Sequence, residues 1–157
     1  MEKTNVMRLL DASRIEYQAF EYNPEITDGQ LVAKTLNENA DEVFKTLVTV
    51  APSGNHYVFV IPVNCTLNLK KASKSVKEKS IEMIKQKELL PLTGYIHGGC
   101  SPIGMKKPFK TVINDTAELF DAICVSAGRV GKQIKLNPHI LANYVNAEFA
   151  DLTDWYG

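Results

Sequence analysis

Two apolar runs, residues 43–51 and 56–63, flank Pro52-Ser53-Gly54-Asn55, and this arrangement restricts the fold of the 157-residue chain more than any other feature. Proline, glycine and asparagine between strand-like runs are a hairpin signal. Within the first run, alternation places Val43, Lys45, Leu47 and Thr49 on one face and Phe44, Thr46, Val48 and Val50 on the other. Lys45 is the anomaly. A lysine in such a run either snorkels to solvent or occupies a polar pocket lined by the sheet.

The remaining pattern alternates short helices with strands. Thr4 caps a first helix with Val6, Leu9 and Leu10 on its apolar stripe, and residues 15–22 read as a strand stopped by Asn23-Pro24. Thr27 or Asp28 caps a helix to about Asn37, and Asn68 caps a lysine-rich helix with Leu69, Ala72 and Val76 inward. A short strand near 80–83 and a helix near 84–90 follow. The last third offers strands near 110–114, 121–126 and 131–136. It ends in a helix from Pro138 behind Asn137, with residues 149–152 closing the sheet. These elements predict one α+β domain over residues 1–157 with a mixed, mostly antiparallel sheet.

Gly94 to Lys107, read Gly-Tyr-Ile-His-Gly-Gly-Cys-Ser-Pro-Ile-Gly-Met-Lys-Lys, lies between the strand-like Tyr95-Ile96 and Thr111-Val112-Ile113. Adjacent glycines permit positive φ and bring backbone N–H groups close to a ligand, so the loop either joins two strands or cradles an oxygen. It is no phosphate-binding P-loop, because Met105 stands where that motif needs lysine.

His56, His97 and His139 lack ligand spacing, and the three cysteines have no Cys-x-x-Cys pair, so no metal or cofactor is expected. Cys100 has His97 and Lys106 nearby as conceivable activators, yet a packed thiol is the plainer reading, and Ser101 lacks a nucleophile elbow. An N-terminus without an apolar core and the absence of a membrane-length span predict a reduced, cytoplasmic protein. Formal charge sums to zero, but residues 70–110 hold 10 Lys/Arg and 3 Asp/Glu, a local +7. That segment is either a solvated helix face or a surface for a polyanion.

Phe44-Lys45-Thr46-Leu47 together with Gly94-Tyr95 and Gly98-Gly99-Cys100-Ser101-Pro102-Ile103-Gly104 closely resembles the YbaK/ProX aminoacyl-tRNA editing domains. Leu67-Asn68-Leu69-Lys70-Lys71-Ala72, Lys110-Thr111-Val112-Ile113-Asn114 and Val125-Ser126-Ala127-Gly128-Arg129 match in the family's order. The resemblance implies a curved, barrel-like sheet surrounded by helices. It also implies a YbaK-like deacylase that clears cysteine from Cys-tRNA(Pro), the substrate's own sulfur attacking its carbonyl. On that pattern Lys45, Gly98 and Gly99 are catalytic: the glycine amides face the ester carbonyl and Lys45 orients the terminal adenosine. Phe20, Thr46, Ser101, Ser126 and Gln133 contact the substrate, and Lys70, Lys71, Lys74, Lys106 and Lys107 carry the tRNA. Phe20 stands where some relatives have tyrosine, and Gln133 where some have an acidic residue. Tyr22 reads as a core aromatic. The expected partner is the tRNA acceptor end, with prolyl-tRNA synthetase a possible second. Alternatives are a ProX-like Ala-tRNA(Pro) deacylase and a non-catalytic module binding a nucleotide or tRNA end.

Overall fold

In the computed structural model, which describes residues 1–154, the hairpin forms as β2 (Phe44–Val50) and β3 (His56–Pro62), paired antiparallel from Phe44–Pro62 to Val50–His56. Ahead of it come α1 (Asn5–Ala12), β1 (Gln18–Glu21) and α2 (Gly29–Thr35). After it come α3 (Leu69–Ser75), β4 (Glu82–Met83), α4 (Gln86–Thr93), β5 (Lys110–Asn114) and β6 (Ile123–Ser126). The chain then forms β7 (Lys132–Leu136), α5 (Pro138–Val145) and β8 (Glu148–Ala150).

The helix starts follow from their caps. The Thr4, Asp28, Asn68 and Asn137 side chains accept from backbone N–H groups of the first turns of α1, α2, α3 and α5. Each such cap is worth about 1 kcal/mol. α4 continues past Pro91 to Thr93 and stops at Gly94, whose φ of 85° provides the left-handed terminus. Tyr95-Ile96 is not a strand, because the chain turns straight out of that terminus into the glycine loop.

The strands make two sheets rather than a closed barrel. One has the order β1-β7-β6; the other, β4-β2-β3-β5-β8, has parallel pairings of β5 with β3 and with β8. The segment expected to close the sheet is instead an edge strand, β8, beside β5. Between the sheets lies the main core, in which Phe44, Val48, Val58, Val60 and Ile113 meet Ile123, Val125, Ile134 and Leu136 beneath α1 and α5. Period-two alternation sends Tyr57, Phe59, Ile61 and Val112 to the far face of the five-stranded sheet, where Ala72 and Val76 cover them. A third cluster, Ala33, Val43, Val63 and Cys124, packs α2 over the seam between the sheets.

Candidate functional site

The seam makes the cleft. Val43 and Cys124 form an isolated parallel bridge between the sheets, and beyond it the two strands part. β4 pairs only with Thr49 and Val50, so β2 has no strand partner on that side from Phe44 to Leu47. Along that open edge four successive residues, Phe44, Lys45, Thr46 and Leu47, line a cavity of about 160 Å3. Opposite them stand Ser126 and Gln133, paired across β6 and β7, while Thr27, Gly29 and Val32 contribute from α2 and its approach. His97, Gly98 and Cys100 bring in the glycine loop.

The cavity's polar groups await partners. Thr46 Oγ1 and Gln133 Oε1 are buried without a hydrogen-bond partner among the described residues. Leaving such atoms unmatched costs about 1–3 kcal/mol each, so each calls for a partner from a ligand or a water in the cleft. Lys45 is half-buried and makes no ion pair among the described residues. Ser126 Oγ accepts the Gly128 N–H at 3.1 Å, which leaves its own hydroxyl proton to donate. Among the described residues no carboxylate lines the cavity.

The two adjacent glycines do different things. Ile96 to Gly99 is a turn in which the Gly99 N–H donates to Ile96 O at 3.0 Å, and Gly98 has the φ of 85° that a type II turn needs at its third position. The Gly99 amide is therefore spent inside the loop, contrary to the expectation that it faces the substrate. Gly99 is glycine because a Cβ there would lie 2.9 Å from Val130 N and 3.2 Å from Arg129 C. Gly98 lines the cavity, and its N–H finds no acceptor among the described residues.

Ser101 belongs to the loop's internal scaffold. It is fully buried, its Oγ accepts from Ile103 N at 3.2 Å, and it does not line the cavity. Tyr95 ties the same loop down by donating to Ile103 O, and burial raises its hydroxyl to about 12. Burial also pushes the Cys100 thiol up to about 12, so it stays protonated at neutral pH and is a wall of the cavity rather than a nucleophile.

Phe20 pairs with Gln133 and shares its face, but together with Phe44 it is Tyr22, two residues on, that lines the cavity. Period-two spacing from Phe20 was the signal for it. Leu89 and Val63 also belong to the lining and carried no sequence signal of their own. None of the five lysines expected to carry the tRNA lines the cavity. Lys70, Lys74, Lys106 and Lys107 are exposed, whereas Lys71 pairs with Asp151 at 2.9 Å and donates to Thr153 O at 2.6 Å. Lys71 thereby ties α3 to the chain's last described residues.

A larger groove of about 790 Å3 along Asp11, Tyr17 and Lys135 is more open, and these three side chains are already engaged. Tyr17 donates to Asp11 at 3.0 Å, and Lys135 pairs with Glu38 at 3.1 Å. Among the described residues no His, Cys, Asp or Glu gather as a metal site requires, and no helix is long and apolar enough to cross a membrane.

Fold and cleft together define an α+β domain with a small hydrogen-bonding site served by a single lysine. The chain belongs to the aminoacyl-tRNA editing domain family, whose model matches residues 23–144. It is 42% identical over 154 residues to EbsC of Enterococcus faecalis, named as a candidate Cys-tRNA(Pro)/Cys-tRNA(Cys) deacylase, covering 97% of this chain and 94% of that one. Two solved structures share its fold. One is a hypothetical protein, APE2540, with TM-score 0.88 and 21% identity over 96% of this chain and 100% of that one. The other, described as a candidate trans-editing enzyme for prolyl-tRNA synthetase, has TM-score 0.83 and 20% identity over 99% and 100%.

Proposed function

We propose that the protein is a free-standing deacylase that removes cysteine from Cys-tRNA(Pro). The observation that carries this reading is a pair of buried atoms, Thr46 Oγ1 and Gln133 Oε1, without partners among the described residues, on a cleft lined by Lys45, which makes no ion pair among them. The cavity of about 160 Å3 is small and partly open, and it admits an aminoacyl group from the cleft mouth. Membership of the editing family and the name borne by the Enterococcus relative support the same substrate. The chemical need is evident, since a synthetase pocket discriminates between similarly sized amino acids by only about 1–3 kcal/mol.

In this mechanism the 3′ aminoacyl ester enters with its amino-acid end inward. Lys45 binds an oxygen of the terminal ribose or phosphate and fixes the ester's orientation. The Gly98 N–H, free of any partner among the described residues, donates to the ester carbonyl as negative charge develops there. One such donor is worth about 10²–10³ in rate. The cysteine sulfur attacks its own carbonyl carbon, forming a C–S bond while the C–O bond to ribose breaks. The thiol proton ends on the departing ribose oxygen, and the cyclic thioester hydrolyses in water. Thr46, Ser126 and Gln133 supply neutral hydrogen bonds, and Phe20 flanks the entrance. The exposed Lys70, Lys74, Lys106 and Lys107 meet the acceptor stem. Prolyl-tRNA synthetase, as the source of the mischarged tRNA, is the natural protein to hand it over.

The test is release of labelled cysteine from Cys-tRNA(Pro), set beside the S-methylated cysteinyl ester. The mechanism predicts turnover of the first and resistance of the second, while equal rates would refute attack by the substrate's sulfur.

A further inference from the structure

Gln133 and Ser126 are the most buried polar residues of the cleft, each 7% exposed, and the Gln133 Oε1 lacks any partner among the described residues. A buried acceptor calls for a donor on the ligand. On the deacylase reading, the portion of substrate that enters the cavity is the aminoacyl group, whose N–H donor is its α-amine; a thiol donates only weakly.

The charge around the site then decides which form of the amine is accepted. An α-ammonium held in a pocket ordinarily meets a carboxylate, and the lining contains none. The ionisable residues that line the cavity with Gln133 are Lys45, His97, Tyr22 and Cys100, the last with a protonated thiol. Lys135, two residues along the same face, is held by Glu38 at 3.1 Å. Asp28 caps α2, and Glu21 lies 3.7 Å from Lys132. Asp41, which accepts from Asn64 at 2.7 Å, lies outside the lining, so among the described residues no lining carboxylate balances a second cation beside Lys45. We infer that Gln133 receives the substrate's α-amine in its neutral form, its amide oxygen accepting an N–H, so that the site selects unprotonated aminoacyl esters.

This inference rests on the deacylase reading, and its test separates the two. Adenosine carrying cysteine through a stable 3′-amide is compared with its counterpart lacking the α-amino group, on the native protein and on Gln133→Met. Loss of the amino group should weaken binding to the native protein about 3–10-fold, as one neutral hydrogen bond predicts, and binding to Gln133→Met less than about twofold. The same loss in both proteins would overturn the role of Gln133. A pH series on the native protein needs no variant. Affinity for the amino compound should rise as pH passes through the amine's ionisation, about 7.7–8.0 for an α-amine, relative to the desamino compound bearing the same thiol. Affinity that is flat or greater in acid would overturn selection of the neutral form. Failure of the native protein to bind either compound would overturn the deacylase reading itself.

Discussion

Replacing Lys45 with methionine should separate function from stability, and Lys135→Met should do the reverse. Lys45 has no ion pair among the described residues, so its removal strands no buried charge. Methionine retains the apolar stem, and the stability change should stay within about 0.5 kcal/mol. At about 2–4 °C per kcal/mol for a chain of this size, the melting temperature should move by no more than about 2 °C. The lost interaction is a charge-assisted hydrogen bond to substrate, worth about 1.5–3 kcal/mol. That converts to a fall in kcat/KM of roughly 10–150-fold. Lys135 instead pairs with Glu38, whose side chain is 13% exposed. Stranding that carboxylate costs about 1–3 kcal/mol, or roughly 2–12 °C, with activity changed only a few-fold. Single-turnover deacylation and thermal unfolding of both variants provide the comparison. A folded Lys45→Met that reacts at the native rate would refute the role of Lys45 and leave it a snorkelling side chain.

Further outcomes follow from particular contacts. Gly99→Ala should lower stability by about 1–3 kcal/mol in urea unfolding, because its methyl meets backbone atoms of Arg129 and Val130 that cannot swing aside; an unchanged midpoint would contradict the close approach. Cys100 should resist iodoacetamide at pH 8 and Cys100→Ala should keep deacylase activity. Since burial raises both Cys100 and Cys124 from 9.0 to about 12, their contribution to stability should be intact below pH 9 and lost as pH climbs toward 12, read from melting temperature against pH. Charge reversal at Lys70 and Lys74 should flatten the salt dependence of tRNA binding and raise KM more than it lowers kcat, whereas reversal of Lys71 should cost stability because of its tie to Asp151.

The legible parts of the sequence were those governed by local rules. The hairpin around Pro52–Asn55, the caps at Thr4, Asn68 and Asn137, and the odd lysine in β2 all depend on neighbours within a few positions. Lys45, Thr46, Gly98, Ser126 and Gln133 were named from the sequence, and the structure brings them to one cavity. What stayed hidden depends on non-local packing. Two sheets joined at a single bridge read, in one dimension, the same as one curved sheet. Gly98 and Gly99 look interchangeable until the Arg129–Val130 backbone is seen crossing against one of them. Ser101 looked like a ligand contact until its turn with Ile103 was visible, and Tyr22 like core until the open edge of β2 faced it. α4 outran its sequence boundary because Pro91 removes a donor without ending the helix, and Gly94 supplies the stop.

The most direct test of the account is single-turnover deacylation of Cys-tRNA(Pro), Ala-tRNA(Pro) and Ser-tRNA(Pro) by the native protein under identical conditions. Attack by the substrate's sulfur predicts rapid release of cysteine, with alanine and serine released no faster than in buffer. Release of alanine at a rate matching or exceeding that of cysteine would contradict the account and make the protein an Ala-tRNA(Pro) deacylase. Binding of all three without release of any would make it a tRNA-end binding module.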